Sequence, residues 1–281
     1  LLRGGQRWLC HGSPSRLLVV GALTTIAVAG LVAVAAALIS RIAAALGIAG
    51  VLLAALALSS LLSLRDLIGA ARSVARDLDR GDLAAAREAV GYHLVSRPTA
   101  ALDEGQVASA TIESVAENLT DSLVAPVCFF LAGGLVGAAV YRVINTADSM
   151  LGFRRGPLEY FGKSAARLDD LVNLIPARIA GLSLVAGAAL AGESPSGALA
   201  ALRRDRRRTQ SPNSGWPMSA MAGALGVALE KPGVHRLGAG ALPIAADIER
   251  AVRVVAAASA VSVALAVFVF VAGAMVLGPA R

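Results

Sequence analysis

The chain has 281 residues, 56% of them hydrophobic and only 16% charged, with a mean hydropathy of +0.68. A soluble domain carries about 25% charge, so the composition excludes an ordinary soluble protein and points to an integral membrane protein. The net charge of +7 fits cytoplasmic loops and anionic substrates or lipids; nucleic acid is not expected, because no basic–aromatic platform accompanies it.

The expected fold class is all-α: a polytopic integral membrane protein with about 4–5 transmembrane or re-entrant helices and amphipathic helices in its polar loops, built as one membrane-embedded domain over residues 1–281. Residues 17–39 and 42–62 are apolar runs flanking Ser40-Arg41 and read as a tight transmembrane hairpin, the alternative being one long tilted helix and a surface segment. Residues 64–122 form a polar block whose apolar period gives amphipathic helices, with Gly81 and Asp82 as a break and the next N-cap. Residues 123–140 are a short span; Pro126, Gly133 and Gly134 favour a re-entrant or broken segment, which puts every arginine-rich block on one cytoplasmic face. A second polar block covers 141–173, and 174–192 is apolar apart from Arg178. Residues 192–215 read as a loop, with a basic run at 203–208 inside the polar block 203–217; 254–277 is a final span. Cys10 and Cys128 give no disulfide framework, and His11, His93 and His235 are scattered, so no histidine-based metal cluster is visible.

Four stretches could carry chemistry. Glu113, Glu117 and Asp121 recur every four residues, which on an α-helix stacks three carboxylates along one face. Such a face suits Mg²⁺ or a general base, or equally a solvated helix end; Asn118 flanks it. Arg142, Asn145 and Asp148 share a helical face at i, i+3 spacing. Next come Lys163, Arg167, Asp169, Asp170 and Asn173, where i, i+3 and i, i+4 pairs place a cationic edge for phosphate beside a carboxylate edge. Gly162-Lys163-Ser164 is not a phosphate-binding loop, since Pro157 stands where that motif needs its first glycine and no strand precedes it. In the last stretch, Ser211 to Met218, two prolines and a glycine fix a loop presenting Asn213 and Ser214, with Trp216 as an aromatic lid.

In this order, TIESVAENLTDSLVAP (111–126), YRVINTADSMLG (141–152), YFGKSAARLDDLVNLIPARI (160–179) and SPNSGWPMSAMAGALG (211–226) resemble the adenosylcobinamide-phosphate synthases of cobalamin biosynthesis, the cobyric acid–aminopropanol ligases of CobD/CbiB type. The resemblance covers about 64–233 well and the flanks by hydropathy. Members of that family begin with a further membrane segment and a Gly-Asp-Pro…His-Pro-Val region, so the chain is expected to be N-terminally truncated.

The resemblance implies a multi-pass enzyme of the bacterial inner membrane, with its active loops facing the cytoplasm. It implies an ATP-dependent ligase that joins (R)-1-amino-2-propanol, or its O-phosphate, to the free propionate carboxylate of adenosylcobyric acid. ATP and Mg²⁺ are the implied co-substrate and metal, and the corrinoid is the substrate. The lipid bilayer and other membrane enzymes of the late corrin pathway are the implied partners. On this basis Glu113, Glu117, Asp121 and Asp148 are metal candidates. Arg142, Lys163, Arg167 and Arg178 suit phosphates; Glu117, Lys163, Asp169 and Asp170 are catalytic candidates; Asn118, Asn145, Asn173 and Asn213 orient amides. The alternative is a non-enzymatic membrane sensor or a small-solute transporter, and the third and fourth blocks argue against it.

Overall fold

The structure, a computed structural model, describes residues 1–153 and 156–277. Among the described residues it consists of helices, their connecting turns and one small hairpin. In chain order the elements are α1 (Leu2–Leu9), α2 (Pro14–Ala45), α3 (Ile48–Ser59), α4 (Leu64–Asp79), α5 (Leu83–His93), α6 (Glu104–Leu119), a π-turn (Thr120–Val124), α7 (Ala125–Leu151), α8 (Leu158–Phe161), α9 (Lys163–Val172), α10 (Leu174–Leu190), α11 (Pro195–Asp205), α12 (Gly215–Leu225), β1 (Ala228–Lys231), β2 (His235–Gly238) and α13 (Ala245–Leu277). Among the described residues, four helical stretches are long and apolar enough to cross a membrane: Pro14–Ala45, Ile48–Asp79, Glu104–Leu151 and Ala245–Val276. A fifth arises if α9 and α10 count as one broken span. Large apolar side chains point outward along α2 and α13, Leu23, Ile26, Val267 and Phe268 among them, as a hydrocarbon solvent permits. The chain is thus an all-α polytopic membrane protein by helix length and composition.

The chain divides into two compact units, Leu1–Leu62 with Ala125–Asn173, and Ser63–Val124 with the chain from Leu174 onward. In the first unit, α2 starts at the Ser13 cap with Pro14 in its first turn. It runs past Ser40-Arg41, where the sequence reading placed the bend, and turns only at Gly47, whose φ is +55°. Only glycine takes that backbone without strain, so it rather than the charge sets the corner. The return arm α3 has 12 residues, shorter than the second span expected over 42–62. It presses so closely on α2 that a Cβ on Gly50 would lie 1.7 Å from the Ala43 carbonyl oxygen.

Helix α7 is broken at Gly133 and at Gly134, the latter with φ +60°. Beyond the break the chain doubles back: Phe129 stacks on Tyr141 with ring centroids 5.1 Å apart, whereas 12 residues of straight helix would separate them by about 18 Å. The helix then continues to Leu151, so much of the expected polar block 141–173 is helical continuation. Leu2, Leu17, Ala147, Leu151, Phe161 and Ala165 form one core cluster of this unit, and Ala36, Leu135 and Ala139 form another.

In the second unit, α6 starts from a reciprocal cap between Asp103 and Gln106. Every residue from Val107 to Ala116 is buried, so the helix is packed on all sides. The acid face is therefore not a solvated helix end. The π-turn begins at Thr120 and alters the register before Asp121, because its turns are wider than α-turns; the four-residue stacking holds for Glu113 and Glu117 only. Helices α10 and α13 pack through small residues: a Cβ on Gly187 would lie 2.7 Å from the Ala258 nitrogen, and Ser262 donates to Ser183 at 2.9 Å. Helix α10 has 17 residues, shorter than the span expected over 174–192. The expected loop 192–215 contains α11, capped by Ser194 with Pro195 at its first position.

Candidate functional site

In the first unit, α7 and α9 meet through a chain of polar side chains. Arg142 Nη1 donates to Asn145 Oδ1 at 3.3 Å. Asn145 Nδ2 lies 3.4 Å from Asp169 Oδ1, and Asn173 Nδ2 donates to Asp169 Oδ2 at 3.0 Å. Tyr141 Oη donates to Asn173 Oδ1 at 3.0 Å. Tyr141, Asn145 and Asn173 are buried, while Asp169 is half-buried. The local pairs Arg142–Asn145 and Asp169–Asn173 are those the helical spacing gives; the contact between the two helices is added by the fold. Both Asp169 oxygens thus accept from amides, which fixes a carboxylate in one orientation.

Lys163 and Arg167 are exposed on α9, and Asp170 is half-buried. Asp148 lies near the end of α7, at the start of the bend to Gly152, whose N–H donates to its carbonyl at 2.7 Å. Gly162 serves packing: a Cβ there would lie 1.8 Å from the Leu151 carbonyl oxygen. It opens α9 with no strand before it, in keeping with the rejected phosphate-loop reading.

In the second unit a pocket of about 310 Å³ opens beside α6. Glu113 and Glu117 line it, as do Arg97, Lys231, His235 and Ser214. Glu113 is buried, and both carboxylate oxygens are engaged: His235 Nε2 lies 3.0 Å from Oε1 and Arg97 Nη2 lies 3.9 Å from Oε2. A carboxylate only accepts, so His235 carries its proton on Nε2. Its Nδ1 is buried and has no partner among the described residues.

Ser109, one helical turn before Glu113, sets this contact. Its Oγ accepts the Glu230 N–H at 2.7 Å and lies 3.3 Å from the Glu230 carbonyl oxygen. That pins β1 to α6. β1 pairs antiparallel with β2, Lys231 opposite His235, across a turn where Gly233 has φ +71°. Pinning at Ser109 therefore carries Lys231 and His235 to the pocket.

The other expected residues of this unit are largely occupied in building it. Asn118 turns back onto α6, donating to the Ser114 carbonyl at 2.9 Å. Asp121 is half-buried in the π-turn. Arg178 donates to the Leu174 carbonyl at 2.6 Å and to Asn213 Oδ1 at 2.8 Å. Its guanidinium lies over the Trp216 ring, as does that of Arg206, at 5.0 and 5.3 Å. Trp216 is thus a platform for two arginines. Within the basic run, Asp205 is fully buried and accepts from Arg204 Nε and Nη2 at 2.9 and 2.7 Å and from the Gly238 N–H at 2.9 Å. Arg208 adds an ion pair at 3.2 Å. Burial pushes the Asp205 carboxyl up, but these donors outweigh it and hold the group below the usual carboxylate range.

No three His, Cys, Asp or Glu side chains gather into a metal-holding group among the described residues. Glu113 and Glu117 share the pocket, but Asp121 does not line it, and Asp148 belongs to the other unit. Sequence reading missed Arg97, Lys231 and His235. They lie outside the four stretches, and His235 is 122 positions from Glu113; neither helical period nor motif spacing connects them.

A family model described as CobD/Cbib protein matches residues 3–274. Among curated proteins, the chain is 46% identical over 187 residues to the "Probable cobalamin biosynthesis protein CobD" of Methanothermobacter thermautotrophicus, covering 66% of this chain and 62% of that protein. It is 47% identical over 169 residues to the "Cobalamin biosynthesis protein CobD" of Dehalococcoides mccartyi, covering 60% and 54%. With the Rhodobacter capsulatus protein of the same name the identity is 44% over 215 residues, covering 76% and 67%. The chain thus spans less than two thirds of the length of the first two. No solved structure matches it.

Proposed function

The chain belongs to the CobD/Cbib protein family, and on that premise we propose that it acts in cobalamin biosynthesis as an ATP-dependent acid–amine ligase. In this reading it joins the amine of (R)-1-amino-2-propanol, or of its O-phosphate, to the free propionate carboxylate of adenosylcobyric acid, giving adenosylcobinamide or its phosphate. The observation that carries the reading is the family match across residues 3–274, taken with fixed, partly buried carboxylates, cations and amides inside a membrane protein, where such groups are costly unless used. We further propose that the chain sits in a bacterial inner membrane with its polar blocks facing the cytoplasm.

A carboxylate is a poor electrophile, so ATP must activate it. The γ-phosphoryl group passes to a propionate oxygen, the amine nitrogen attacks the acyl carbon, and phosphate leaves with the C–O bonding pair. Such transfers depend on positioning and charge neutralisation. Lys163, Arg167 and Arg142 are the cations for phosphate oxygens. Asp169, oriented by two amides, or Asp170 beside it receives the ammonium proton. Mg²⁺ accompanying ATP needs only one or two protein carboxylates. Glu117, Asp121 and Asp148 are the candidates, since Glu113 is engaged by His235 and Arg97.

The test is a coupled assay on membranes containing the chain, supplied with adenosylcobyric acid, aminopropanol or its phosphate, and Mg-ATP. Cobinamide product and ADP are expected together. No ADP release with the full substrate set refutes the ligase and favours a sensor or transporter. Glu117→Gln is expected to abolish product while membrane expression persists; full activity in that variant removes Glu117 from the site.

A further inference from the structure

Tyr141 is fully buried, and its hydroxyl feeds a relay that ends on Asp169. A carboxylate only accepts, so Asn173 presents its NH2 edge to Asp169 Oδ2, at 3.0 Å. The opposite edge of the same amide, Oδ1, then faces Tyr141 Oη at 3.0 Å and takes its proton. The donors therefore all point one way, from hydroxyl to amide to carboxylate, and each bond polarises the next. The other amide on Asp169, that of Asn145, stands farther off at 3.4 Å, so the Asn173 branch is the tighter hold. Asn173 is itself buried. Without the hydroxyl its Oδ1 loses that donor in a wall where an unmet acceptor is costly, and the amide is no longer held square to Asp169.

The hydroxyl is placed by its ring. Phe129 stacks on Tyr141 with the two planes 12° apart. The rings sit on opposite arms of the segment that doubles back at Gly133 and Gly134. The arms touch, since a Cβ on Gly137 would lie 2.3 Å from the Phe129 carbonyl oxygen. The fold of that segment thus sets where the polar end of Tyr141 lies.

We infer that Tyr141 is a positioning residue for ligation: through the Asn173 amide it holds the Asp169 carboxylate in the orientation that receives the ammonium proton. The proton taken up by Asp169 comes from the ammonium; those on Tyr141 and Asn173 stay where they are. The inference rests on the ligase reading for its reaction, and it selects Asp169 over Asp170 as the proton acceptor.

The test is kinetic, on the detergent-purified chain with adenosylcobyric acid, aminopropanol phosphate and Mg-ATP. Tyr141→Phe keeps the stacked ring and removes only the hydroxyl. Its kcat is expected to fall about tenfold, with each KM within about twofold of the parent. Asn173→Ala, or Asn173→Leu where the alanine chain does not fold, removes the amide and should cost at least as much. Adding Tyr141→Phe to that chain is expected to change kcat by less than about twofold, because the hydroxyl has no amide left to act through.

A Tyr141→Phe chain with the parent kcat overturns the inference and leaves the ligase standing. Costs that multiply in the double variant also overturn it, since the hydroxyl then acts by another route. So does a fall in kcat accompanied by a rise in every KM, which marks a general structural loss. No ligation by the parent chain refutes the ligase itself and takes the inference with it.

Discussion

Replacing Asp205 tests how far the second unit depends on one buried carboxylate. Its side chain is fully enclosed and accepts two hydrogen bonds from Arg204 and one from the Gly238 N–H, with Arg208 at 3.2 Å. The Gly238 bond ties α11 to β2. Asp205→Ala leaves that N–H without its acceptor, at about 1–3 kcal/mol, and loses charge-assisted bonds of about 1.5–3 kcal/mol. Arg204 and Arg208 are about half exposed, so solvent screening reduces their share, and a net loss of about 2–4 kcal/mol is reasonable. At about 2–4 °C per kcal/mol for a chain of this order, the melting temperature should fall by roughly 4–16 °C.

The assay is thermal unfolding of the detergent-purified protein at several pH values, followed by intrinsic tryptophan fluorescence. Asp205 is held below the usual carboxylate range in the folded state. Its contribution is therefore complete above the unfolded value of about 3.9 and is lost as pH falls through the lower folded value. The gap between the two proteins should be full at pH 7 and close only under strongly acidic conditions. A variant that melts within 1 °C of the parent at pH 7 would refute the reasoning.

Asp169→Asn is expected to keep the helices but to lose one of the two amide contacts, because its Nδ2 would face the Nδ2 donor of Asn145 or of Asn173, while lowering the ligation rate by about 100-fold or more; unchanged kcat excludes Asp169 as the base. Gly50→Leu should disrupt the α2–α3 hairpin, since even a Cβ meets the Ala43 carbonyl oxygen at 1.7 Å. Loss of monodisperse protein on gel filtration is the readout, and wild-type behaviour would mean that the close approach is not obligatory. Ser109→Ala removes the bond to the Glu230 N–H. Hydrogen exchange at Glu230 should rise; protection at the parent level contradicts the pin.

What sequence could reveal here was local. Arg142 with Asn145, and Asp169 with Asn173, are i, i+3 and i, i+4 neighbours, so a helical period finds them. The Gly81–Asp82 break is equally local: Gly81 has φ +72°, and Asp82 accepts the Ala85 N–H at 2.9 Å. The contact of Asn145 with Asp169 and that of His235 with Glu113 depend on tertiary packing, which no spacing records. Two strands of four residues are too short for an alternating signal, so the hairpin that delivers His235 stayed hidden. Asp205 was lost among the arginines of a charge run, which reads as a solvated stretch. Asp121 went astray for a different reason: the four-residue rule presumes an unbroken α-helix, and the π-turn ends that one residue earlier.

The hairpin that bears Lys231 and His235 also makes the pocket sensitive to strand register. Side chains alternate faces along a strand, so a slip of one residue sends an entire set to the opposite side. Lys231 lies on β1 beside the pinned Glu230, and His235 lies opposite it on β2. A single-residue deletion in the turn around Pro232 and Gly233 should therefore slip β2 against a fixed β1. It should take the imidazole away from Glu113 in one step while Lys231 and the helices around it stay as they are. Two bonds to Ser109, far away in sequence, are what hold that alignment.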